Sequence, residues 1–364
     1  MERNSNGERG KIRGYLFEIV ILQLLENNGF SSIKETQRGR VKIDRKNFVE
    51  LKGRGTWHQI DCPMNCNFTI PFMYPIRLLG EVKFYSGQIN KDKIREYIGV
   101  MKDIQENYFG LKNVTKLPQR FIEVGAYFSA NGFSSEAELL AYAHGIKTLS
   151  YKNNHIINDI KNIIEELEMH HIDYDKISGD RFSEFMQTLR DFFSDSDIEN
   201  STYYNNLESF FVGDYKELLK KLYEAIVEKI KSSFVGYSDT GFSFHFISEE
   251  EFPDEVFENT DTANCEIYFD EIGNIDKKKK SEYSFYIIFS RDIYSRRFYF
   301  TPPDILINAV KKSGKELLQK KEMVFNNVHV NIIIKNIKRN LTFKIDDAWM
   351  RRLYQRENSK KQIQ

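Results

Sequence analysis

Nine residues, Arg77–Tyr85 (RLLGEVKFY), constrain the fold of this chain most. Strand side chains alternate, so Leu78, Gly80, Val82 and Phe84 share one face and Leu79, Glu81, Lys83 and Tyr85 the other. A strand apolar on one whole face and half of the other belongs inside a sheet covered on both sides. Charges buried there are costly unless paired or put to use. An ion pair on a solvated strand is the plain alternative. Nineteen residues separate Glu81 from an earlier acid, Asp61, in a segment, Trp57–Cys62, that also reads as a strand. Two neighbouring strands can therefore bring two carboxylates and an ammonium to one place.

The surrounding pattern predicts a first helix over about Lys11–Asn28. Tyr15, Leu22 and Leu25 lie on one stripe, Glu18 falls on that same apolar face, and Gly29 supplies the stop. A carboxylate facing inward from a helix needs a reason. A strand follows at Phe48–Leu51, and Pro63–Pro75, with three prolines, reads as a long loop. Asn90 caps a helix carrying Ile94, Ile98, Met101 and Ile104 to about Tyr108. A strand at Phe121–Ser129, a helix at Ser135–His144 and a strand at Ile146–Tyr151 complete residues 1–151. This order predicts an α/β (α+β) unit, a mixed central sheet flanked by helices.

Residues 152–180 read as a helical connector, helical over 155–168. Residues 181–364 read as a second, α+β domain acting as sensor, dimerisation or partner-binding unit. Its expected helices are Phe182–Phe193, Tyr215–Ser232, Asp304–Lys312 and Asp347–Tyr354. Its strands are expected within Phe234–Ile247 and at Cys265–Phe269, Tyr283–Phe289, Arg297–Phe300, Val328–Ile334 and Leu341–Ile345, with Lys277–Lys280 as a hairpin tip.

The formal net charge is zero, which argues against a protein that coats nucleic acid indiscriminately. The charge is unevenly spread, however. Residues 34–54 hold eight bases and three acids, and 335–361 nine bases and three acids. Residues 191–214 hold six acids and 249–271 ten, with no base in either. Such an arrangement either steers a polyanion to particular faces or marks ordinary solvated surface. Three cysteines make no disulfide framework. The polar N-terminus carries no signal-peptide core, and the apolar run Ile19–Leu25 is too short to span a bilayer. A cytoplasmic protein without membrane contact is the expectation.

Asp61 and Glu81 are hard oxygen donors of the kind Mg2+ takes, and Lys83 beside them suits charge building on a phosphate. Residues 11–151 resemble the PD-(D/E)XK nuclease superfamily, in the manner of Mrr-type restriction endonucleases and Holliday-junction resolvases. GYLFEIVILQLLENNGF resembles the family's opening helix with its acid, here Glu18. HQID resembles the strand carrying the first metal-binding acid, Asp61, and EVK resembles the (D/E)XK signature, Glu81 and Lys83. VGAYFSANGFSSEAELLAYAHGIKTLS resembles the later strand, helix and strand. Ile60 stands where the family has proline, and the excursion after Asp61 is long. The resemblance implies Mg2+-dependent phosphodiester hydrolysis, with Mn2+ as substitute, usually of DNA and often in restriction or antiviral defence. Metal ligation by Asp61, Glu81 and Glu18 is part of that implication.

Gln59 shares the face of Asp61 and is a candidate substrate contact. Arg38, Arg40, Lys42, Arg54 and Trp57 join basic charge to an aromatic, as a phosphate-backbone grip or as a solvated loop. His58, Cys62 and Cys66 are three conceivable zinc ligands without a visible fourth, and free thiols are the simpler reading. Three functions stay open. The first is a DNA endonuclease, with RNA as a possible substrate and a homodimer or a defence-system ATPase as possible partners. The second is a nuclease-like module that binds without cutting. The third is an effector silent until residues 152–364 meet a partner, with the acidic segments occupying a basic groove.

Overall fold

The computed structural model describes residues 2–37, 39–44, 48–68, 71–107, 120–177, 180–195, 198, 202–272, 282–312, 326–334 and 337–363. The expected hairpin tip Lys277–Lys280 lies outside them. The chain is a mixed α and β protein, and its described residues form two multi-stranded open sheets and a closed barrel.

The open sheets take shape in the first 150 residues. Helix α1 (Glu2–Glu26) is followed by β1 (Phe30–Ser32), β2 (Val41–Ile43), β3 (Val49–Lys52), β4 (Trp57–Ile60), β5 (Cys62–Cys66) and β6 (Ile76–Lys83). Then come α2 (Lys91–Gln105), β7 (Ile122–Ser129), α3 (Ser135–Ala143) and β8 (Lys147–Ser150). One sheet has the order β1-β5-β6-β7-β8, with β6, β7 and β8 parallel and β5 antiparallel to both β1 and β6. A small antiparallel sheet, β2-β3-β4, stands beside it. Asn90 caps α2 as expected, its side chain accepting from the amides of Asp92 and Lys93.

The loop expected over Pro63–Pro75 begins as strand, since Pro63–Cys66 belong to β5. Pro63 lies in β5 opposite Leu79. Its carbonyl accepts from Ile33 at the end of β1, so its missing N–H also points to that side, and the β6 ladder loses nothing.

Apolar alternation builds two cores around β6. Leu78, Val82 and Phe84 join α1, whereas Leu79 joins α2 and α3 with Tyr97 and Tyr127. The α1 core also takes in the next stretch of chain. Helices α4 (His155–Glu166), α5 (Asp180–Ser194), α6 (Tyr203–Glu208) and α7 (Tyr215–Tyr223) bury Ile157, Ile160, Ile164, Phe185, Leu189 and Leu219 against the α1 side. Helices α4 and α7 end in π-helical segments, Leu167–His171 and Glu224–Glu228. The helix expected up to Ser232 therefore stops early, and Ser232 begins β9.

The barrel runs β10-β13-β12-β11-β15-β14-β9 and closes on itself. Its strands are β9 (Ser232–Ser238), β10 (Ser243–Ser248), β11 (Thr262–Ile272), β12 (Glu282–Phe289), β13 (Phe298–Phe300), β14 (Asn327–Ile334) and β15 (Ile337–Ile345). Gly241, at φ +86°, turns β9 into β10. Phe234, Phe244, Phe246, Phe289, Phe298, Phe300 and Phe343 pack against one another inside. Phenylalanine thus fills the barrel. Helices α8 (Asp304–Lys312) and α9 (Ala348–Ile363) pack against it, with Trp349 and Leu353 fully buried.

Two buried polar links fix the barrel to the rest. His245 receives the Tyr151 hydroxyl at Nδ1 (2.8 Å) and meets the Ser233 hydroxyl at Nε2 (2.8 Å), and Ser233 also donates to the Leu24 carbonyl of α1 (3.0 Å). Burial holds His245 down at about 3, so it is neutral. Glu138 of α3 accepts from the amides of Asp304 and Ile305 at 3.0 and 2.9 Å, covering the N-terminus of α8. No helix among the described residues is long and apolar enough to cross a membrane.

Candidate functional site

Asp61 sits where one strand leaves one sheet for another. Residues 57–60 pair with β3, residues 62–65 pair with β6, and Asp61 is the single residue between. The break turns its side chain toward β6. There Oδ2 accepts from the amide of Val82 (3.1 Å) and from Lys83 Nζ (2.7 Å). Lys83 Nζ also meets Glu81 Oε1 at 2.6 Å. The two-residue period brings Glu81 and Lys83 to one side of β6, and the ammonium bridges both carboxylates. Their side chains keep 12% (Asp61), 23% (Glu81) and 22% (Lys83) of their exposure, so the cluster is half-buried yet still open to a ligand.

The close approach of β5 and β6 depends on Gly80. A Cβ at this position would lie 2.8 Å from Cys62 Cβ and 3.0 Å from both the Cys62 carbonyl and Phe128. The carboxylates are electrostatically crowded. Burial, then the charge of Asp61, raises the Glu81 carboxyl above its ordinary range. The same two causes, in the same order, push Glu18 well above it. Burial would lower the Lys83 ammonium, but Asp61 and Glu81 more than reverse this and hold it protonated.

Glu18 of α1 therefore feels the cluster through charge, and the charge of Arg190 of α5 acts on it in the opposite sense, favouring the ionised form. The Arg190 guanidinium lies 5.6 Å from the Tyr15 ring and hydrogen-bonds the Tyr15 side chain. Sequence reasoning missed Arg190. Its signal was an arginine beside Leu189, Phe192 and Phe193 on an otherwise apolar helical stripe.

Were all three carboxyls ionised, the two cations would leave one net negative charge, and the candidate donors are all hard oxygens. Among the described residues no three His, Cys, Asp or Glu side chains form a group that could hold a metal ion, so Asp61, Glu81 and Glu18 do not gather as a three-carboxylate ligand set. Two converging carboxylates with room for water still suit Mg2+, which keeps several waters and uses one or two protein carboxylates. Lys83 now occupies the point where Asp61 and Glu81 converge on a cation.

The other candidates scatter around the small sheet. Gln59 is exposed on β4, opposite Glu50 of β3, which in turn faces Lys42 of β2. Trp57 shares that outer face and lies under Lys42 Nζ (3.9 Å) and Lys52 Nζ (5.6 Å). This aromatic and basic surface leads along β4 into Asp61. The charge of Arg40 is felt by Glu123 of β7. Arg54 pairs with Glu106 at 2.8 Å. Arg38 lies outside the described residues.

His58 bonds Asp103 at 2.7 Å, and Asp103 also receives the amides of Gly55 and Thr56. His58 thereby clasps the β3–β4 turn to α2. Cys62 and Cys66, four strand residues apart, stand about 13 Å from each other, too far to share a zinc ion. Both are free thiols. Several carboxylates of the acidic stretch 249–271 pair within the barrel: Glu255 with Arg296, Asp261 with Arg339, Asp270 with Arg297 and Glu271 with Lys360.

No family model matches the chain. No curated protein matches it either. Among solved structures it is similar to the crystal structure of a protein of unknown function, AF1548, with 15% identity and a TM-score of 0.32. That likeness covers 58% of this chain and 97% of the other.

Proposed function

We propose that this chain is a metal-dependent endonuclease of the restriction-endonuclease type, hydrolysing phosphodiester bonds of DNA. One observation carries the reading. Asp61, at the crossing between two sheets, and Glu81, on the central strand, converge on Lys83. An ion pair serving only stability has no need of a strand break, a glycine-dependent close approach and a third carboxylate from α1. The order of elements agrees with the reading: a helix, the β5–β6 hairpin, a helix, a parallel strand, a helix and a further parallel strand.

Asp61 and Glu81 would hold Mg2+ or Mn2+, with Glu18 close enough in charge to act through water. The ion supplies polarisation of the phosphate and a more acidic bound water. The remaining roles belong to the chain. Lys83 stays protonated, so it serves as a donor to the charged phosphate oxygens rather than as a base. Glu18, whose carboxyl is pushed well above its ordinary range by burial and by the charge of Asp61, would accept a proton from the attacking water when it is ionised. Gln59, Trp57, Lys42 and Lys52 offer the backbone of the substrate a contact surface leading to the cluster.

The test is cleavage of plasmid DNA by wild-type protein and Lys83→Ala, with Mg2+, Mn2+ or EDTA. Nicking or linearisation that needs metal and disappears in the variant is expected. Equal DNA binding with and without metal, and no cut with either ion, would replace this reading with a non-cleaving nucleic-acid-binding module.

A further inference from the structure

We infer that the cavity between α1, the β2–β3–β4 sheet and α5 is a nucleotide pocket that takes one base of the DNA substrate next to the phosphate at Asp61. This inference rests on the nuclease reading and adds a substrate subsite to it. The cavity has a volume of about 370 Å3, and Asp61 forms part of its wall. Glu81 and Lys83 do not line it, so the occupant reaches the cluster from the Asp61 side only.

Its chemistry suits a nucleotide. Phe48, entering from the small sheet, and Phe193 of α5 give apolar walls for a flat ring. Gln187 donates to Asp191 at 2.7 Å on the α5 side, so an amide and a carboxylate stand together in the lining. Those are the side-chain types that read base edges through paired donors and acceptors. Arg190 also faces this space, and a guanidinium matches both a phosphate and an aromatic face. A free apolar ligand would leave these polar groups unused. A base whose own backbone passes Asp61 uses the walls, the polar edge and the catalytic end together. Extruding one nucleotide from a duplex has a cost, and a shaped pocket that stacks and hydrogen-bonds the base offsets it.

The pocket also assigns a role to residues beyond 151. Helix α5 belongs to the helical segment after the first α/β unit, yet it forms one wall of a cavity that ends at Asp61. Substrate selection would then require both parts of the chain.

The experiment uses the full chain and DNA duplexes carrying 2-aminopurine at successive positions around the cleavage point, with Ca2+ in place of Mg2+. One position is expected to brighten as the base leaves the stack. Leu22→Trp, which fills the cavity from α1, should abolish that signal and raise KM at least tenfold. Gln187→Ala should raise KM severalfold with little change in kcat. Both variants should melt like the wild type. The inference is overturned if no position brightens, or if both variants cleave with wild-type KM while Lys83→Ala is inactive. If wild-type protein cuts nothing but one position brightens and Leu22→Trp quenches it, the pocket stands and the nuclease reading falls.

Discussion

Replacing Lys83 by methionine removes the cation shared by Asp61 and Glu81 and keeps most of its volume. The two contacts are 2.7 and 2.6 Å, and the three side chains are mostly but not fully enclosed. Breaking a fully buried pair costs about 3–5 kcal/mol, and a surface pair is worth less than about 1 kcal/mol. Partial screening places Lys83→Met between them, at about 2 kcal/mol. The raised pKa of Glu81 limits the loss, because this carboxyl can take up a proton when its partner is gone. With an unfolding entropy of about 2.1 cal/mol/K per residue, 364 residues melting together give ~0.8 kcal/mol/K, so the melting temperature should fall by about 3 °C in EDTA. A divalent cation would take over the vacated charge. At one hundred times its Kd it returns about 2.7 kcal/mol. Magnesium should therefore raise the melting point of Lys83→Met more than that of the wild type, where the ammonium competes. Adding Glu81→Gln should recover stability in EDTA and remove the magnesium response. Scanning calorimetry in EDTA and in MgCl2 reads all of this. If Lys83→Met melts with the wild type in EDTA, or if magnesium shifts both proteins equally, the two carboxylates do not form a shared cation site.

Gly80→Ala should cost about 2 kcal/mol by overpacking and abolish cleavage, because the strand shift it forces moves Glu81; denaturant melts and the plasmid assay check both. His245, held at about 3 when folded and ordinary when unfolded, stays unprotonated in the native state, so its contribution is complete above about pH 6.5 and is lost as the pH falls. Urea melts between pH 7 and pH 5 should show a loss of about 1 kcal/mol per unit that disappears in His245→Phe. A fragment ending at Tyr151 should aggregate rather than fold, because it exposes the α1 face that buries Ile157, Ile160, Ile164 and Leu189, each worth about 2 kcal/mol. A soluble fragment with a cooperative melt would refute that.

What was legible in the sequence followed from local periodicity. The alternation in β6 shows which residues share a face, and so places Glu81 with Lys83. Asn90 announces α2 because its side chain satisfies two amides that the first helical turn leaves open. Pro63 misled, because a proline normally ends a strand. Only the pairing direction shows that its missing N–H faces the β1 side. The short strands Phe30–Ser32 and Val41–Ile43 carry too few residues for a period to register. The amphipathic pattern of α4, with Ile156, Ile157, Ile160 and Ile164 on one side, marks a helix without naming its partner. That the partner is α1, with Arg190 arriving beside Glu18, depends on contacts between residues far apart in the chain. Barrel closure depends on such contacts too, since β11 pairs in parallel with β15 some eighty residues later.

Helix α1 joins these parts, and its register explains how. Phe17, Val20, Leu24 and their neighbours pack into the core shared by β6 and helices α4 to α7, Glu18 reaches the Asp61 cluster, and the Leu24 carbonyl takes the Ser233 hydroxyl of the barrel. Six residues, under two helical turns or about 9 Å, separate the carboxylate from the barrel contact. A neutral, buried histidine completes that contact, and Glu138 locks a second one at the start of α8. The barrel is therefore not a body swinging on a linker. Any force that shifts β9 relative to α1 must break a buried hydrogen bond or move the helix that carries Glu18. An event at the barrel would consequently reach the candidate site by displacing α1, without needing a separate acidic segment to block the groove.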